Sequence, residues 1–412
     1  MANESIVNVR FIDELKGRGL FASRDIAAGT VLFEEKPLVC AQFLWNECYH
    51  YEACEYCMRS MENAEEMARR LSANPSLVLP CMECCKAEKQ NFVHCPHCRV
   101  AYCCSECREQ AWNQYHQVLC LSQHPPDPNH PLVILQEVWK TMHYPPETTS
   151  IMLIAKMIAS IKQAKSKEEI LASFNQFCHV PQNEERQLSH KLLGKQFEGQ
   201  YEALQPLLLN ALHEESVAQW FTPGGLRSPF ALIGMNGQGV GSSSLSVYVH
   251  NCDELDLEAE ERHNLDQFID QLYVEMEKGI VDIMFVHSKY LLVSESGAFL
   301  NCEGSALYKL QSCCNHSCVP NAEISFLHNN STLSLVALTD ITEGQEVLIS
   351  YLDKCCKERS RHSRQKELRE NYLFSCDCSK CRLQCDDPDV TSSEEEEEEE
   401  EMEDGEASQA KN

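Results

Sequence analysis

Short runs of β-branched and aromatic residues open the chain, and similar runs return near its end. Such runs, bounded by Gly, Pro, Asn or Asp, are typical of β-strands. The first three, at residues 7–12, 16–22 and 29–39, predict a small sheet, and those at residues 332–338 and 346–351 predict further strands. We therefore expect β-structure on both sides of the middle of the chain.

The middle of the chain has helical spacing instead, with apolar residues every three or four positions. This spacing predicts amphipathic helices that pack into a core, and no candidate chemistry lies on them. Charged runs that also favour helix follow further along the chain. The predicted helices are residues 132–139, 149–161, 204–221, 253–278 and 354–371.

Details of these helical regions stay open. Thr148, Thr149 or Ser150 can cap the second helix, because each offers a side-chain oxygen to the first helical turn. A short helix on an inserted loop fits residues 62–71. The mostly apolar residues 280–293 add either strands or a poorly packed insertion.

Composition narrows the class of protein. A chain of 412 residues that is 43% hydrophobic can form two or three packed units. Its first residues lack the basic and then apolar pattern of a secretion signal, and no uncharged apolar run reaches the ~18 residues of a membrane span. We therefore expect a soluble intracellular protein, in which the 25 cysteines bind zinc rather than form disulfides.

Charge changes the expected partners. The formal net charge is −28, and residues 386–412 carry 14 acidic residues and one lysine, with eight consecutive glutamates at 394–401. Such a segment repels itself and cannot bury a core, so we expect a disordered tail. Because nucleic-acid binding depends on Lys and Arg, direct DNA binding is not expected, and a basic protein partner fits better.

The cysteines between residues 54 and 120 have the spacing of metal ligands. Pairs of cysteines followed by a helix with His-x3-Cys can converge tetrahedrally on zinc. The regular part of the pattern is Cys95, Cys98, Cys103, Cys107, His116 and Cys120. Two closed sites need eight ligands, and the remaining two come either from Cys54 and Cys57 or from among Cys81, Cys84 and Cys85.

Three further motifs follow one another in the last quarter of the chain. Residues 312–321 (SCCNHSCVPN) place hydrogen-bonding side chains and thiols before a proline bend, and residues 344–351 (GQEVLISY) end a predicted strand with Tyr351. Cys376, Cys378 and Cys381 then offer three metal ligands. A closed tetrahedral zinc site therefore requires a fourth ligand from elsewhere.

Two glycine-rich segments are candidates for ligand loops. Gly17 and Gly19 allow unusual backbone angles or a close approach to a ligand, and Arg18 between them can reach a carboxylate. Residues 230–241 are also rich in glycine, but no GKS or GKT follows and no βαβ unit surrounds them, so a phosphate loop is not predicted.

The last-quarter motifs, in this order, resemble the catalytic end of SET-domain protein lysine methyltransferases, and residues 102–120 resemble the MYND zinc finger. Together they are similar to the SET-and-MYND (SMYD) family over roughly residues 5–385. The chain resembles the kind of member that lacks the C-terminal helical repeat domain and ends in a poly-glutamate tail.

This resemblance implies an α+β fold, with a β-rich SET domain, an inserted MYND finger, a helical insertion and a zinc-bound post-SET segment. The implied divisions are SET strands at 1–50, the MYND finger with its insertion at 51–121, the helical SET insertion at 122–225, the catalytic core at 226–353 with an insertion at 250–300, the post-SET segment at 354–385 and the disordered acidic tail at 386–412.

The family's motifs also imply site residues. Tyr351 is the predicted catalytic residue. Residues 230–241 fit the family's strand and turn before the Asn-His motif, and Asn236 in this segment is a candidate for the wall of the lysine channel. The residues implied to hold S-adenosylmethionine are Lys16, Gly17, Arg18, Ser312, Asn315, His316, Tyr351 and Phe374. The resemblance implies about three structural zinc ions. The first is held by Cys103 and Cys107 with an upstream pair, for which Cys54 and Cys57 are favoured. The second is held by Cys95, Cys98, His116 and Cys120, and the third by Cys318, Cys376, Cys378 and Cys381.

The resemblance implies a protein-lysine N-methyltransferase that uses S-adenosylmethionine and acts on basic proteins such as histone tails or ribosomal proteins. The alternative is an interaction scaffold in which the MYND finger recruits proline-containing partners and the SET domain is weak or inactive. For the methyltransferase, the resemblance implies histone lysine methylation in chromatin, a place in the nucleus and cytoplasm, and no membrane partner.

Overall fold

The N-terminal and C-terminal strands of the chain pair with one another, and helices fill the segments between them. This is seen in a computed structural model, which describes residues 5–14, 16–48, 50–142, 150–178, 182–183, 188–189, 198–222, 224–287 and 301–387. The predicted tail from residue 386 lies almost entirely outside the described residues.

Strands are short and separated by turns, as the alternating runs predict. Their bounds are β1 (Val7–Asp13), β2 (Gly17–Ala22), β3 (Val31–Glu35), β4 (Val39–Gln42), β5 (Val93–His94), β6 (Ala101–Tyr102), β7 (Gln182–Asn183), β8 (Leu188–Ser189), β9 (Gln238–Ser242), β10 (Cys302–Leu307), β11 (Asn315–His316), β12 (Ala322–Ser325), β13 (Leu333–Ala337) and β14 (Glu346–Ile349). The strands predicted at residues 7–12, 16–22, 332–338 and 346–351 are confirmed, and the run at 29–39 divides into two strands.

The sheets join residues that are far apart in sequence. The largest has the order β1-β2-β14-β11, in which β14 is antiparallel to β2 and parallel to β11. Two three-stranded sheets have the orders β12-β13-β3 and β4-β10-β9. Because β11 and β14 pair directly, the Asn315–His316 motif lies beside the strand that leads to Tyr351.

The helices, like the strands, are mostly short. Their bounds are α1 (Trp45–Cys48), α2 (Ala64–Leu71), α3 (Ser105–Ala111), α4 (Gln117–Leu119), α5 (Pro131–Met142), α6 (Ile151–Gln163), α7 (Lys167–Phe174), α8 (Glu198–Leu212), α9 (Arg227–Asn236), α10 (Ser244–Asp253), α11 (Ala259–His287), α12 (Lys354–Glu358), α13 (Arg361–Tyr372) and α14 (Ser379–Leu383). Ser150 caps α6, with its side chain accepting from Met152 N. No helix in these described ranges is long and apolar enough to cross a membrane.

Sequence reasoning misjudged several boundaries. The predicted helix at 204–221 ends at Leu212 and is followed by a 3-10 segment with a non-helical Val217. The helix predicted at 253–278 begins only at Ala259, because residues up to Asp253 close the preceding α10. The charged run at 354–371 forms two helices, and α7 was not predicted.

The glycine-rich segment is the clearest correction. Its position in the family pattern suggested a strand and a turn, yet residues 227–236 form α9 and only Gln238–Ser242 forms a strand. Phe230 and its neighbours up to Ile233 are buried in the core, so tertiary packing outweighs the low helix propensity of Gly234. The apolar segment at 280–293 continues α11 to His287, and its remainder lies outside the described residues.

Four hydrophobic cores are formed by the described residues, and the smallest lies around Leu352 and Leu368 near the last cysteines. One joins the finger segment (residues 51–121) to α5, α6, α8 and α9, and includes the buried Trp139 and Ile154. A second packs α2 against α10 and α11, and a third lies between the sheets around Leu20 and Tyr308. The long spacer between Cys57 and Cys95 therefore packs mainly on α10 and α11.

Candidate active site

A cleft of about 1350 Å³ opens beside the four-stranded sheet, between the β1–β2 turn and the C-terminal segment. This volume exceeds the ~300–1,000 Å³ typical of a single small-molecule site, so it leaves room for two reactants. All eight residues predicted to hold the cofactor line this cleft, although they come from four separate parts of the chain: Lys16, Gly17, Arg18, Ser312, Asn315, His316, Tyr351 and Phe374.

The β1–β2 turn forms one wall of the cleft and depends on two glycines for different reasons. Gly17 has φ +65°, a conformation that L side chains rarely adopt. Gly19 has an ordinary φ, but an added Cβ would lie 2.6 Å from Ile12 Cδ1 and 2.9 Å from Glu346 Oε1. Gly19 therefore allows the Glu346 carboxylate to approach the β2 backbone closely.

Asn315 of residues 312–321, here called the central motif, is fixed by the Glu346 carboxylate. Asn315 Nδ2 donates to Glu346 Oε1 at 2.8 Å and to the Arg18 carbonyl at 3.1 Å. Asn321 also contacts β14, because its Nδ2 donates to the Glu346 carbonyl and its Oδ1 accepts from Leu348 N. The central motif is thus attached to both β2 and β14.

Tyr351 lies two residues beyond the end of β14 and is held at both its backbone and its hydroxyl. Its backbone N–H donates to His316 Nδ1 at 2.9 Å, and its hydroxyl donates to the Cys314 carbonyl at 2.7 Å. Burial of the phenol raises the pKa of Tyr351 above its ordinary value, so the hydroxyl stays protonated. With its proton committed to Cys314, the oxygen can still accept a hydrogen bond.

Aromatic rings surround this tyrosine. Its ring centroid lies 4.7 Å from that of Tyr372, 5.4 Å from His316 and 6.1 Å from Phe374, which stands perpendicular to it. Tyr372 also donates from its hydroxyl to the Tyr351 carbonyl at 3.4 Å, and burial raises the pKa of Tyr372 to about 12. Sequence reasoning missed Tyr372, although its place two residues before Phe374 was a usable signal.

The helical insertion contributes a further wall that the sequence did not reveal. Phe177 and Cys178, just after α7, line the cleft. The Arg18 guanidinium donates to the Gln176 carbonyl at 2.5 Å, which ties the β1–β2 turn to this wall. Asn236 also lines the cleft, and its amide donates to the Cys178 carbonyl at 2.7 Å.

Four thiols meet at the C-terminal wall of the cleft. The sulfurs of Cys318, Cys376, Cys378 and Cys381, here called the third cluster, lie within 4.8 Å of one another. Hydrogen bonds from Cys376 and then His316 lower the pKa of Cys318 to about 3, against the effect of burial. Four thiolates within this distance are a suitable donor set for a structural zinc ion.

The finger segment brings together two other ligand sets. In the first cluster (Cys54, Cys57, Cys103 and Cys107) and the second cluster (Cys95, Cys98, His116 and Cys120), the ligand atoms again lie within 4.8 Å of one another. Burial lowers the pKa of His116, which favours the neutral imidazole that binds metals. Both sets suit zinc in a closed tetrahedral site.

The alternative upstream cysteines lie elsewhere. Cys84 is buried in the core formed by α2, α10 and α11, where its carbonyl accepts from Asn251 Nδ2 at 2.6 Å. Cys81 and Cys85 are partly buried against the same core. The geometry therefore pairs Cys54 and Cys57, rather than these three residues, with Cys103 and Cys107.

The sheet pairing, the cleft and the three clusters define a SET-domain protein, and the family profile described as "SET domain" matches residues 17–352. The chain is 56% identical over 397 residues to "Protein-lysine N-trimethyltransferase SMYD5" of Gallus gallus, covering 96% of this chain and 91% of the relative. It is 55% identical to the Homo sapiens protein of the same name over 388 residues, which cover 94% of this chain and 89% of the relative. The chain therefore belongs to the SET-domain family, and within it to the SMYD protein-lysine methyltransferases.

A more distant relative is also named a lysine methyltransferase. "N-lysine methyltransferase SMYD2" of Mus musculus is 25% identical over 378 residues, which cover 90% of this chain and 59% of the relative. The chain is thus an enzyme, a protein-lysine N-methyltransferase that uses S-adenosylmethionine, and its three cysteine-rich sites could bind zinc.

Proposed function

We propose that this enzyme transfers methyl groups to a lysine of a basic protein and that the cleft around Tyr351 is where transfer occurs. The observation that carries the proposal is the convergence of the Gly17 turn, the Asn315–His316 strand, Tyr351 and Phe374 on one cleft. S-adenosylmethionine supplies the methyl group from its sulfonium, so the chain's own residues mainly bind and orient.

Cofactor binding is assigned to the walls nearest β2 and β11. The Lys16–Arg18 turn and Asn315 present backbone and amide groups to a polar ligand, and Ser312 adds a hydroxyl at the cleft surface. Phe374 and His316, with ring centroids 6.0 Å apart, offer aromatic surface to the adenine. A single cleft thus provides both the polar and the aromatic contacts that this cofactor needs.

Tyr351 is assigned the catalytic role. The target lysine must arrive as a free amine, although its unperturbed pKa is ~10.4, and an apolar channel disfavours the ammonium form. Tyr351 remains a neutral phenol because of its raised pKa, so it does not act as a base. Its oxygen can accept a hydrogen bond from the amine and hold the nitrogen lone pair toward the methyl donor.

Zinc binding is assigned to the twelve residues of the three clusters. The ligands are Cys54, Cys57, Cys103 and Cys107 in the first; Cys95, Cys98, His116 and Cys120 in the second; and Cys318, Cys376, Cys378 and Cys381 in the third. All three are closed sets of four protein ligands, which is the arrangement of structural rather than catalytic zinc.

The substrate is proposed to be a basic protein, such as a histone tail or a ribosomal protein, in the nucleus or cytoplasm. The acidic residues at 386–412 favour such a partner electrostatically, and the finger is proposed to bind proline-containing proteins. The relatives that are 53–56% identical are named trimethyltransferases, so we propose trimethylation as the final product.

The test is transfer of labelled methyl from S-adenosylmethionine to fractionated basic cell proteins. We expect a labelled band with the wild-type protein, and labelling reduced about 10²–10³-fold for Tyr351→Phe, because one preorganised polar contact at the reacting centre is lost. Tyr273→Phe on α11 is the matched control and should label normally. Equal labelling by the wild type and Tyr351→Phe would contradict the assignment of Tyr351.

Mass spectrometry of the labelled band would identify the lysine and count its methyl groups. Failure of zinc-loaded wild-type protein to bind S-adenosylmethionine at all would favour the scaffold role over catalysis.

A further inference from the structure

A buried arginine contacts the third cluster from behind the cleft. Arg364 belongs to α13, one of the most polar helices of the chain, yet its side chain is 0% exposed. Its Nε donates to Cys318 Sγ at 3.4 Å and its Nη2 donates to Cys381 Sγ at 3.5 Å. The guanidinium therefore joins a ligand from the central motif to a ligand from the C-terminal segment.

The guanidinium of Arg364 makes two further hydrogen bonds. Nη1 donates to the Arg359 carbonyl at 2.6 Å and Nη2 also donates to Gln384 Oε1 at 2.8 Å. The planar guanidinium of arginine has donors in fixed directions and can make all of these contacts, whereas the ammonium of lysine cannot. The neighbouring Gln365 adds a second attachment, since its side-chain amide donates to the Cys376 carbonyl and accepts from Cys376 N.

Charge explains why a cation is useful here. Four thiolates around one divalent ion carry a net charge of −2, and burying an uncompensated charge is costly. Arg364 brings one positive charge into hydrogen-bond contact with two of these sulfurs. Hydrogen bonds to ligand atoms from the surrounding protein orient the ligands and tune how tightly the metal is held.

The same sulfur connects the cluster to the reacting centre. Cys318 Sγ lies 3.4 Å from His316 Nε2, and His316 Nδ1 accepts the hydrogen bond from Tyr351 N. Each contact in the series from Arg364 to Cys318, His316 and Tyr351 is a direct one. Displacement of Cys318 would therefore move the imidazole that holds the Tyr351 backbone.

We propose that Arg364 is a positioning residue that secures zinc in the third cluster and, through Cys318 and His316, sets the geometry of Tyr351 and the cofactor wall. The inference rests on the proposed function in one respect, namely that the third cluster holds zinc. It assigns to α13 a role that its sequence does not suggest, because the charged residues of α13 are typical of a solvent-exposed helix.

The experiment compares full-length wild-type protein with Arg364→Met, Arg364→Lys and the control Arg369→Met. Methionine removes the charge but keeps much of the volume, whereas lysine keeps the charge without the fork. Arg369 lies on the same helix, about 140° around its axis, and is partly exposed. Zinc is counted per chain and followed during competition with a chelating dye.

We expect three zinc ions in the wild type, of which one becomes about 10- to 100-fold weaker in Arg364→Met. Arg364→Lys should be intermediate, and Arg369→Met should match the wild type. The two finger sites are an internal reference within each variant, because a positioning role affects one zinc of three whereas general unfolding releases all three.

A second readout is the dissociation constant of S-adenosylmethionine, measured by calorimetry with and without excess zinc. We expect weaker binding by Arg364→Met that excess zinc partly restores. Three tightly held zinc ions in Arg364→Met would overturn the inference and leave the proposed function intact. Loss of all three zinc ions in both Arg364 variants would also overturn the inference, because the effect would then not be confined to the third cluster. Only two zinc ions in the wild type, with the third cluster empty, would contradict the zinc assignment itself and the inference with it.

Discussion

The third cluster and the two finger clusters have similar ligands but different surroundings. Cys376 and Cys378 line the cleft, whereas none of the eight finger ligands is among the described residues that line it. Cys318 also contacts His316, which holds Tyr351. We therefore propose that the third cluster is part of the active site, while the finger clusters stabilise a neighbouring module.

The finger is nevertheless firmly attached to the enzyme. Lys156 of α6 is 1% exposed and forms an ion pair with Glu55 at 2.6 Å. Its ammonium lies 4.7 Å from the centre of the Tyr115 ring, and the Tyr115 hydroxyl donates to the Glu55 carbonyl. Glu55 lies between Cys54 and Cys57. Loss of zinc from the finger should therefore lower the free energy of unfolding more than it lowers methyl transfer.

The largest effect should come from breaking the third cluster. Cys376→Ser removes a zinc ligand at the cleft wall two residues from Phe374, so we expect kcat/KM for methyl transfer to fall by at least about 100-fold. Steady-state methyl transfer measures this. The control is Cys385→Ser, an exposed cysteine outside the cluster, which should retain full activity. Normal turnover by Cys376→Ser would remove the third cluster from the active site.

Disrupting the second cluster should affect stability more than methyl transfer. Cys98→Ser is expected to lose finger zinc and to unfold at lower denaturant concentration, because Cys98 belongs to the core that the finger shares with α6. At a temperature where the variant stays folded, kcat/KM should fall less than about tenfold. Zinc counting and the same methyl-transfer assay test this. Equal losses for Cys98→Ser and Cys376→Ser would erase the distinction between the clusters.

A smaller effect is expected at the contact between the finger and α6. Lys156→Met leaves Glu55 without its cation and should lower the free energy of unfolding by about 1–3 kcal/mol. Lys162→Met is the control on the same helix, where the side chain is exposed. Denaturant titration measures the difference. A Lys156→Met midpoint matching that of Lys162→Met would show that this ion pair does not secure the finger.

The smallest effect concerns pH. Burial raises the pKa of Tyr351 above its ordinary value and that of Tyr372 to about 12, so both phenols stay neutral where a free tyrosine, with pKa ~10, begins to ionise. We therefore expect kcat/KM to rise with pH as the substrate lysine loses its proton, with no decline up to about pH 10. A decline below pH 10 that disappears in Tyr372→Phe would contradict this assignment.

Much of the site could be predicted because its chemistry requires particular residues at particular spacings. Structural zinc sites commonly take ligands from closely spaced pairs, so Cys95, Cys98, Cys376 and Cys378 were recognisable in sequence. Tyr351 was recognisable because it ends the predicted strand at 346–351, between the Asn315–His316 motif and the last cysteines, although β14 itself ends at Ile349. Strand pairing between distant parts of the chain brings the Asn315–His316 motif and Tyr351 to one cleft.

The parts of the fold and site that were not predicted depend on burial, which the sequence does not reveal directly. Arg364 lies in a charged helix that looks exposed in sequence, yet it is fully buried against the third cluster. Phe177 and Cys178 follow a helix without candidate chemistry, and only tertiary packing brings them to the cleft. The α9 helix was missed because the family pattern suggested a strand and a turn there, whereas the packing of Phe230 in the core stabilises a helix.

The most direct test of the account is a calorimetric titration of S-adenosylmethionine into wild-type protein, Cys376→Ser and Cys98→Ser. If the third cluster forms part of the cofactor wall, Cys376→Ser should lose measurable binding, while folded Cys98→Ser should bind within a few-fold of the wild type. Tight binding by Cys376→Ser, or equal loss of binding in both variants, would contradict the central claim that only the third cluster belongs to the active site.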